Sequence, residues 1–166
     1  YLIFIDSDDY IHPEMIQSLY EQLIQEDADV SSCGVMNVYA NDESPQSANQ
    51  DEYFVCDSQT FLKEYLIGEK IPGTICNKLI KREIATALSF PKGLIYEDAY
   101  YHFDLIKLAK KYVVNTKPYY YYFHRGDSIT TKPYAEKDLA YIDIYQKFYN
   151  EVVKNYPDLK EVAFFR

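Results

Sequence analysis

Few cysteines and no basic cluster occur in this sequence, and both shortages restrict what the protein can be. The three cysteines, Cys33, Cys56 and Cys76, are widely spaced and form no Cys-x-x-Cys pair, which argues against a zinc site and a disulfide framework. A reducing cytoplasm is the compartment that fits such a chain. The 17 basic residues are outnumbered by 26 acidic ones and are not clustered, so the sequence argues against a nucleic-acid partner.

Long apolar runs are missing as well, since none approaches the length of a membrane span or of a signal-peptide core. Tryptophan is absent, whereas tyrosine occurs 19 times. Hydrophobic residues still make up 48% of the 166 residues, which is enough for one domain with a buried core. The chain begins at Tyr1, inside what looks like a core strand, so we expect that it is truncated at its N-terminus.

The first ten residues hold an informative pattern, in which the apolar residues 2–5 run directly into Asp6, Asp8 and Asp9. A short, unbroken apolar run predicts a strand buried on both faces, as in a parallel sheet. In open α/β sheets, ligands bind beyond the carboxyl ends of the strands. Carboxylates clustered there repel one another and need a counter-charge, for which a hard cation such as Mg²⁺ or Mn²⁺ is suited. A solvated acidic turn before a helix is the alternative interpretation.

Local patterns predict the other elements in order along the chain. Strands are predicted at 29–39, 52–56, 74–80, 112–115 and 119–124. Helices are predicted at about 13–26, from Asp57 or Ser58 onward, over 81–88, over 97–110 and along the end of the chain from 139. The polar residues 40–51 predict an exposed loop. This order is typical of an α/β fold whose sheet need not be wholly parallel.

Four motifs follow one another between residues 1 and 131, and their order and spacing are more specific than any one of them. They are Asp6-Ser7-Asp8-Asp9 after the apolar segment, Cys76-Asn77-Lys78-Leu79 with Lys81-Arg82-Glu83, Phe90-Pro91 with Gly93 and Tyr96-Glu97-Asp98, and the aromatic residues 119–123 leading into His124-Arg125-Gly126-Asp127-Ser128-Ile129-Thr130. Together they resemble the inverting nucleotide-sugar glycosyltransferases of family 2, which have the GT-A fold. In that family the first motif corresponds to the D-x-D motif.

The resemblance implies an incomplete GT-A fold, an α/β architecture with a mixed, mostly parallel sheet flanked by helices. Residues 1–131 would form the C-terminal part of the catalytic domain, on the metal and acceptor side, and residues 132–166 a C-terminal helical extension. The family's first strand-helix-strand unit, which holds the nucleotide base, has no counterpart in this sequence. We therefore expect this fragment to transfer no sugar, to bind donor weakly and to self-associate.

The same resemblance implies roles for the acidic residues. Asp8 would ligate Mn²⁺ or Mg²⁺ directly, and Asp6 would contact the metal through water or bind the donor ribose. The cation would neutralise the charge that develops on the leaving diphosphate. Asp98 matches the family's general base, which accepts the proton of the attacking acceptor hydroxyl, and Glu97 would orient that base or touch the acceptor.

Residues of the second and fourth motifs are candidates for further contacts. Arg125 and Ser128 could hold the diphosphate, and so could Lys78, for which a solvent-facing lysine is the alternative. His124 could be an additional metal ligand, a donor to the diphosphate or a structural residue. Residues 119–122 could stack on a sugar ring, although at least half of them are expected in the core.

The partners that the resemblance implies are a nucleotide sugar, in particular a UDP-sugar, and a saccharide or polyol acceptor. The implied process is polysaccharide or cell-wall synthesis. The expected location is the cytoplasm, including a peripheral position at the inner face of the membrane, with no transmembrane segment.

Two other classes of function stay open on the residues alone. In a Mg²⁺-dependent phosphohydrolase, Asp6 would be the nucleophile and Asp8 the acid and base. That class also needs a glycine-aspartate metal motif on an apolar strand, whereas Gly126-Asp127 lies in a polar stretch. A non-catalytic carbohydrate-binding or assembly module would instead use the many tyrosines for stacking.

Overall fold

The computed structural model describes residues 1–92, 97–124 and 140–164, with the side chains of the last range described from 142 onward. The strands are β1 (Tyr10–Ile11), β2 (Val30–Val38), β3 (Glu43–Pro45), β4 (Tyr53–Asp57), β5 (Lys78–Ile80) and β6 (Lys111–Phe123). The helices are α1 (Met15–Gln25), α2 (Ser58–Ile67), α3 (Arg82–Ala87), α4 (Glu97–Leu108), α5 (Ala140–Asn155) and α6 (Lys160–Phe164), with a 3₁₀ turn at Pro157–Leu159.

The two longest strands form the centre of a six-stranded sheet. Strands β2 and β6 lie parallel, β2 also pairs with β3 and β5, and β6 also pairs with β1 and β4. All of these additional pairings are antiparallel. The α/β class and the mixed sheet are therefore confirmed. The expectation of a mostly parallel sheet is wrong for the described strands. Among them, β2 and β6 form the one parallel pair, and each of the four short strands runs antiparallel to the central strand with which it pairs.

Helices cover the sheet with apolar faces that match the predicted spacing. Helix α1 packs on β2 and β5 and buries Met15, Leu19 and Leu23. Helix α2 begins at Asp57, whose side chain accepts a hydrogen bond from the Thr60 backbone, as its capping role predicts. Helix α4 packs against α2, α3 and α5. Within the described residues, no helix combines the length and apolar character needed to cross a bilayer.

The apolar residues 2–5 do not form the predicted doubly buried strand. Among the described residues, their ladder contact is a single antiparallel bridge between Leu2 and Ile80. Leu2 and Ile5 are 37% and 46% exposed. Phe4 does contact the core, where it meets the rings of Phe90 and Tyr101 edge to face. The prediction is wrong in this detail because the segment pairs through that one bridge and is not part of the sheet whose faces the helices cover.

Two further differences concern β3 and β6. The predicted loop 40–51 contains the short strand β3, which forms a hairpin with β2. The two strands predicted at 112–115 and 119–124 are one continuous strand that includes Pro118. An irregular register around Gly34, opposite Pro118, allows that proline to remain inside the strand.

Replacing Gly34 with alanine should destabilise the fold. A Cβ atom at this position would lie 2.1 Å from the Thr116 carbonyl oxygen, so the β2 and β6 backbones would have to separate. We expect the free energy of unfolding to fall by about 1–3 kcal/mol, as overpacking usually costs. Urea denaturation measures this change, and Gly73→Ala is the control because a Cβ there meets nothing within 4 Å. Equal stability of the two variants would contradict the prediction.

Candidate active site

Cys76 lies where the loop that follows residues 2–5 meets the start of α4. Its thiol hydrogen-bonds the Asp6 carboxylate. Burial, together with the negative charges of Asp6 and Asp98, raises the pKa of Cys76 to about 11. The structure therefore brings together two acidic residues that are more than ninety positions apart in the sequence.

Asp98 occupies the first turn of α4 and is half-buried. Its Oδ2 accepts a hydrogen bond from the Ile75 backbone N–H at 3.4 Å. Burial raises the pKa of Asp98, and repulsion by Glu97 and Asp6 raises it too, while the Ile75 bond and the charge of Lys78 act in the opposite direction. A carboxylate with a raised pKa is a stronger proton acceptor than an ordinary aspartate.

Asp9 anchors the acidic turn to β6. The Tyr120 hydroxyl donates to Asp9 Oδ2 at 2.6 Å, and the Phe123 backbone N–H donates to Asp9 Oδ1 at 2.9 Å. The same tyrosine hydroxyl accepts a hydrogen bond from the Asp6 backbone N–H at 3.3 Å. Both oxygens of Asp9 are thus engaged in holding the turn, whereas Asp6 and Asp8 lie exposed at the surface.

The acidic turn concentrates negative charge that suits a divalent cation. Partial burial raises the pKa of Asp6, a Cys76 hydrogen bond lowers it, and repulsion by Asp9, Asp8 and Glu97 raises it. This concentration of negative charge favours a bound cation. No group of three or more histidine, cysteine or acidic side chains in the described part of the chain could hold a metal by itself. Mg²⁺ is usually held by one or two protein carboxylates together with phosphate and water oxygens, so Asp6 and Asp8 fit that mode.

Lys78 does not face the solvent. The side chain is fully buried, and its ammonium donates to Thr74 O at 2.7 Å, Pro72 O at 3.2 Å and Asn77 Oδ1 at 2.6 Å. The solvent-facing alternative for Lys78 is therefore wrong, whereas its contact with a diphosphate stays a prediction. Lys78 holds the loop that presents the Ile75 N–H to Asp98.

The stability of the protein should depend on pH through Lys78. Burial lowers the pKa of Lys78 from its ordinary 10.5 to about 7. Between these values the unfolded chain binds one proton more than the folded chain, so stability should rise with pH. Urea denaturation gives the free energy of unfolding of the unaltered chain and of Lys78→Met at each pH. We expect the difference between the two, unaltered chain minus variant, to increase by about 1 kcal/mol per pH unit between about pH 7 and 9.

The pH window of this experiment ends where the cysteines begin to contribute. Burial raises the pKa of Cys33 and Cys56 to about 12 and that of Cys76 to about 11, from a usual value of 9.0. Above the usual value, ionisation of the unfolded thiols lowers stability as pH rises. Parallel pH profiles for the unaltered chain and Lys78→Met between about pH 7 and 9 would contradict the assigned role of Lys78.

His102 lies one helical turn after Asp98 and contacts the same loop. Its Nδ1 is 3.1 Å from the Gly73 carbonyl oxygen, and the fully buried Nε2 has no hydrogen-bond partner among the residues that the structure describes. Burial holds the pKa of His102 well below its usual 6.5, and the charge of Lys78 adds to the effect. The imidazole is therefore neutral. Sequence reasoning missed this residue, because its histidine side chain lies on a helix face with no motif around it.

The fourth motif is only partly described. The His124 Nε2 is 2.9 Å from Asn37 Oδ1, and the imidazole stacks on Tyr39. Its role as a metal ligand stays a prediction. Arg125 and Ser128 lie outside the described residues, and so do Gly93 and Tyr96 of the third motif. Of the aromatic residues 119–122, the first two are buried, which agrees with the expectation that half belong to the core.

The sheet and its covering helices are similar to those of solved structures. Among solved structures, Staphylococcus aureus TarS (residues 1–349) in complex with UDP-GlcNAc superimposes with a TM-score of 0.68 at 18% sequence identity, over 91% of this chain and 42% of TarS. The same TarS fragment in complex with UDP has a TM-score of 0.63. This likeness confirms the GT-A fold.

The sequence comparisons identify the family. The model of glycosyl transferase family 2 matches residues 1–88, more than half of the chain, and the chain belongs to that family. Glycosyltransferase GlyG of Streptococcus pneumoniae is 29% identical over 92% of this chain and 52% of its own length. Glycosyltransferase GlyA of the same organism is 26% identical over 78% of this chain and 20% of its own length. The chain thus spans about half of GlyG and a smaller part of GlyA.

Proposed function

We propose that the protein transfers a sugar from a nucleotide-diphosphate donor to an acceptor hydroxyl, with inversion at the anomeric carbon. The observation that carries this proposal is the convergence of Asp6 and Asp98 at Cys76 in a member of glycosyl transferase family 2. Asp6 lies in the turn that fits a cation. Asp98 lies half-buried at the start of α4, and its pKa is raised. Such a pair of acidic groups in different environments supports two separate roles.

Asp98 is the general base of the proposed reaction. Its carboxylate accepts the proton of the acceptor hydroxyl while that oxygen forms a bond to the anomeric carbon. The bond from this carbon to the diphosphate oxygen breaks, and the electron pair leaves with the diphosphate. The Ile75 N–H holds Oδ2 of the base, and the neighbouring Glu97, which is exposed, orients the base or contacts the acceptor.

Asp8 and Asp6 hold Mn²⁺ or Mg²⁺ in this proposal, with His124 as a further ligand. The cation supplies positive charge for the diphosphate as it leaves. Arg125 and Ser128 bind the diphosphate oxygens, since a guanidinium group and a hydroxyl both donate to them. Tyr120 and Asp9 keep the turn in place through hydrogen bonds to β6 and to the Asp6 backbone.

The donor in this proposal is a UDP-sugar, and the acceptor is a saccharide or a polyol in polysaccharide or cell-wall synthesis. The TarS complex with UDP-GlcNAc supports the donor class, because the two folds agree. In this proposal residues 1–131 belong to the metal and acceptor side of the catalytic domain, and residues 132–166 to a C-terminal extension whose described part is helical. A cytoplasmic location, including the inner face of the membrane, completes the proposal and is supported by three unpaired cysteines.

A screen of nucleotide sugars tests the proposal. Calorimetry on the full-length protein, with a panel of UDP- and other nucleotide sugars and with Mn²⁺ or EDTA, should reveal one donor that binds only when the metal is present. Sugar transfer to added saccharides is then followed by release of UDP. Hydrolysis of simple phosphate esters without any donor binding would favour the phosphohydrolase alternative, which family membership argues against.

Self-association of residues 1–166 is a further expected result. Residues 2–5 are bridged to β5 through Leu2. Within this segment the side chains of Leu2 and Ile5 are exposed. Exposed strand edges and apolar surface promote pairing between chains. Light scattering should show oligomers that diminish in the Ile5→Lys variant, and calorimetry should show weak donor binding. A monomeric chain with micromolar affinity for a UDP-sugar would contradict both expectations.

A further inference from the structure

A partly exposed group of aromatic and polar side chains lies at the carboxyl ends of β2 and β6, and the proposed chemistry does not use most of it. The group, called here the Tyr39 platform, consists of Asn37, Tyr39, Gln46, Tyr122 and His124. The rings of Tyr39 and His124 stack with centroids 4.4 Å apart and planes inclined by 15°. Tyr122 meets the same imidazole edge to face at 4.6 Å. Tyr39, the outer ring of this stack, is 42% exposed.

The platform is held together at one oxygen atom. Asn37 Oδ1 accepts a hydrogen bond from Gln46 Nε2 at 2.8 Å and lies 2.9 Å from His124 Nε2. Because Oδ1 can only accept, His124 Nε2 is the donor in this contact. Within the described part of the chain, no hydrogen bond engages the Asn37 amide nitrogen or the Gln46 amide oxygen. The platform thus offers an amide donor and an amide acceptor beside an aromatic face.

The platform adjoins the candidate active site. Phe123, between Tyr122 and His124, donates its backbone N–H to Asp9. The His124 backbone N–H donates to Val38 O, which fixes the end of β6 on β2 beside the β2–β3 hairpin that carries Tyr39. A ligand on the Tyr39 ring would therefore lie near the acidic turn.

We propose that the Tyr39 platform is a saccharide-binding subsite, which holds the acceptor if the proposed function is correct. The C–H face of a sugar ring is apolar and packs against an aromatic ring, whereas its vicinal hydroxyls both donate and accept hydrogen bonds. The amide donor of Asn37 and the amide acceptor of Gln46 match that pattern of hydroxyls. A few polar groups placed around an aromatic surface are the usual means by which a small-molecule site fixes orientation.

The test compares saccharide binding by the full-length protein and by three variants. The probes are the methyl glycosides of glucose, galactose and N-acetylglucosamine, together with maltotriose, titrated by NMR. Tyr39→Ala should weaken binding of the best probe about tenfold, because it removes the stacking face. Tyr39→Phe should keep the affinity within about twofold, since the ring remains. Tyr53→Ala is the matched control, because Tyr53 on β4 is a tyrosine of similar exposure (47%, against 42% for Tyr39).

The outcomes separate this inference from the proposed function. Donor binding with Mn²⁺ and sugar transfer test the function, whereas Tyr39-dependent saccharide binding tests the subsite. Saccharide binding lost in Tyr39→Ala would support the subsite even in a protein that transfers no sugar. The subsite inference would be overturned if Tyr39→Ala and Tyr53→Ala bound the saccharide with equal affinity. It would also be overturned if the unaltered protein bound none of the probes. A selective loss of UDP affinity in Tyr39→Ala would also overturn it, since the ring would then hold the donor base.

Discussion

Replacing Asp98 with asparagine should lower turnover by about two to four orders of magnitude, the usual contribution of a positioned base. The asparagine side chain keeps the size of the residue and an oxygen that can accept the Ile75 N–H, so the start of α4 should be preserved. It cannot accept the proton of an acceptor hydroxyl. Donor affinity should therefore stay nearly unchanged, and steady-state kinetics with calorimetry of donor binding measures the two effects separately.

The pH dependence of kcat gives a second measure of the same residue. A base must be deprotonated, so turnover should fall as the pH decreases through the pKa of Asp98. Because burial raises that pKa, the fall should begin at a higher pH than an ordinary aspartate with a pKa of 3.8 would produce. Asp104→Asn is the control, because Asp104 is an exposed aspartate on the same helix α4. A protein that retains nearly normal turnover after Asp98→Asn would show that this residue serves only the structure of the helix start.

Replacing Asp8 with alanine should abolish Mn²⁺-dependent donor binding and turnover while the fold is retained. The charge of Asp8 contributes to the repulsion that raises the pKa of Asp6, so its removal relieves part of that repulsion. Denaturation should thus show little loss of stability. Mn²⁺ affinity can be measured by calorimetry or by electron paramagnetic resonance, independently of any sugar transfer.

Asp51→Ala is the matched control for this experiment. It removes one negative charge as well, from an exposed aspartate in the loop before β4. The comparison therefore separates loss of a ligand from a change in net charge. Unchanged Mn²⁺ affinity in Asp8→Ala would remove Asp8 from the proposed metal site, whatever happens to turnover.

Local patterns were sufficient for the elements whose residues interact with near neighbours in the sequence. The spacing of Met15, Leu19 and Leu23 predicted α1, and the aspartate at 57 predicted the start of α2. The acidic pair at 97 and 98 predicted the start of α4. Such signals are local because a helix satisfies its backbone hydrogen bonds within itself and shows its buried face at a fixed period.

The sequence by itself determined the family, the α/β class and the candidate acidic residues, because motif order and apolar periodicity are properties of the chain. Only the tertiary structure decided which of these groups meet. The hydrogen bond from Tyr120 to Asp9 spans 111 positions, and Lys78 is buried because three acceptors surround it. Residues 2–5 lack the burial that their apolar pattern predicted, since a strand depends on neighbours that its own residues do not specify.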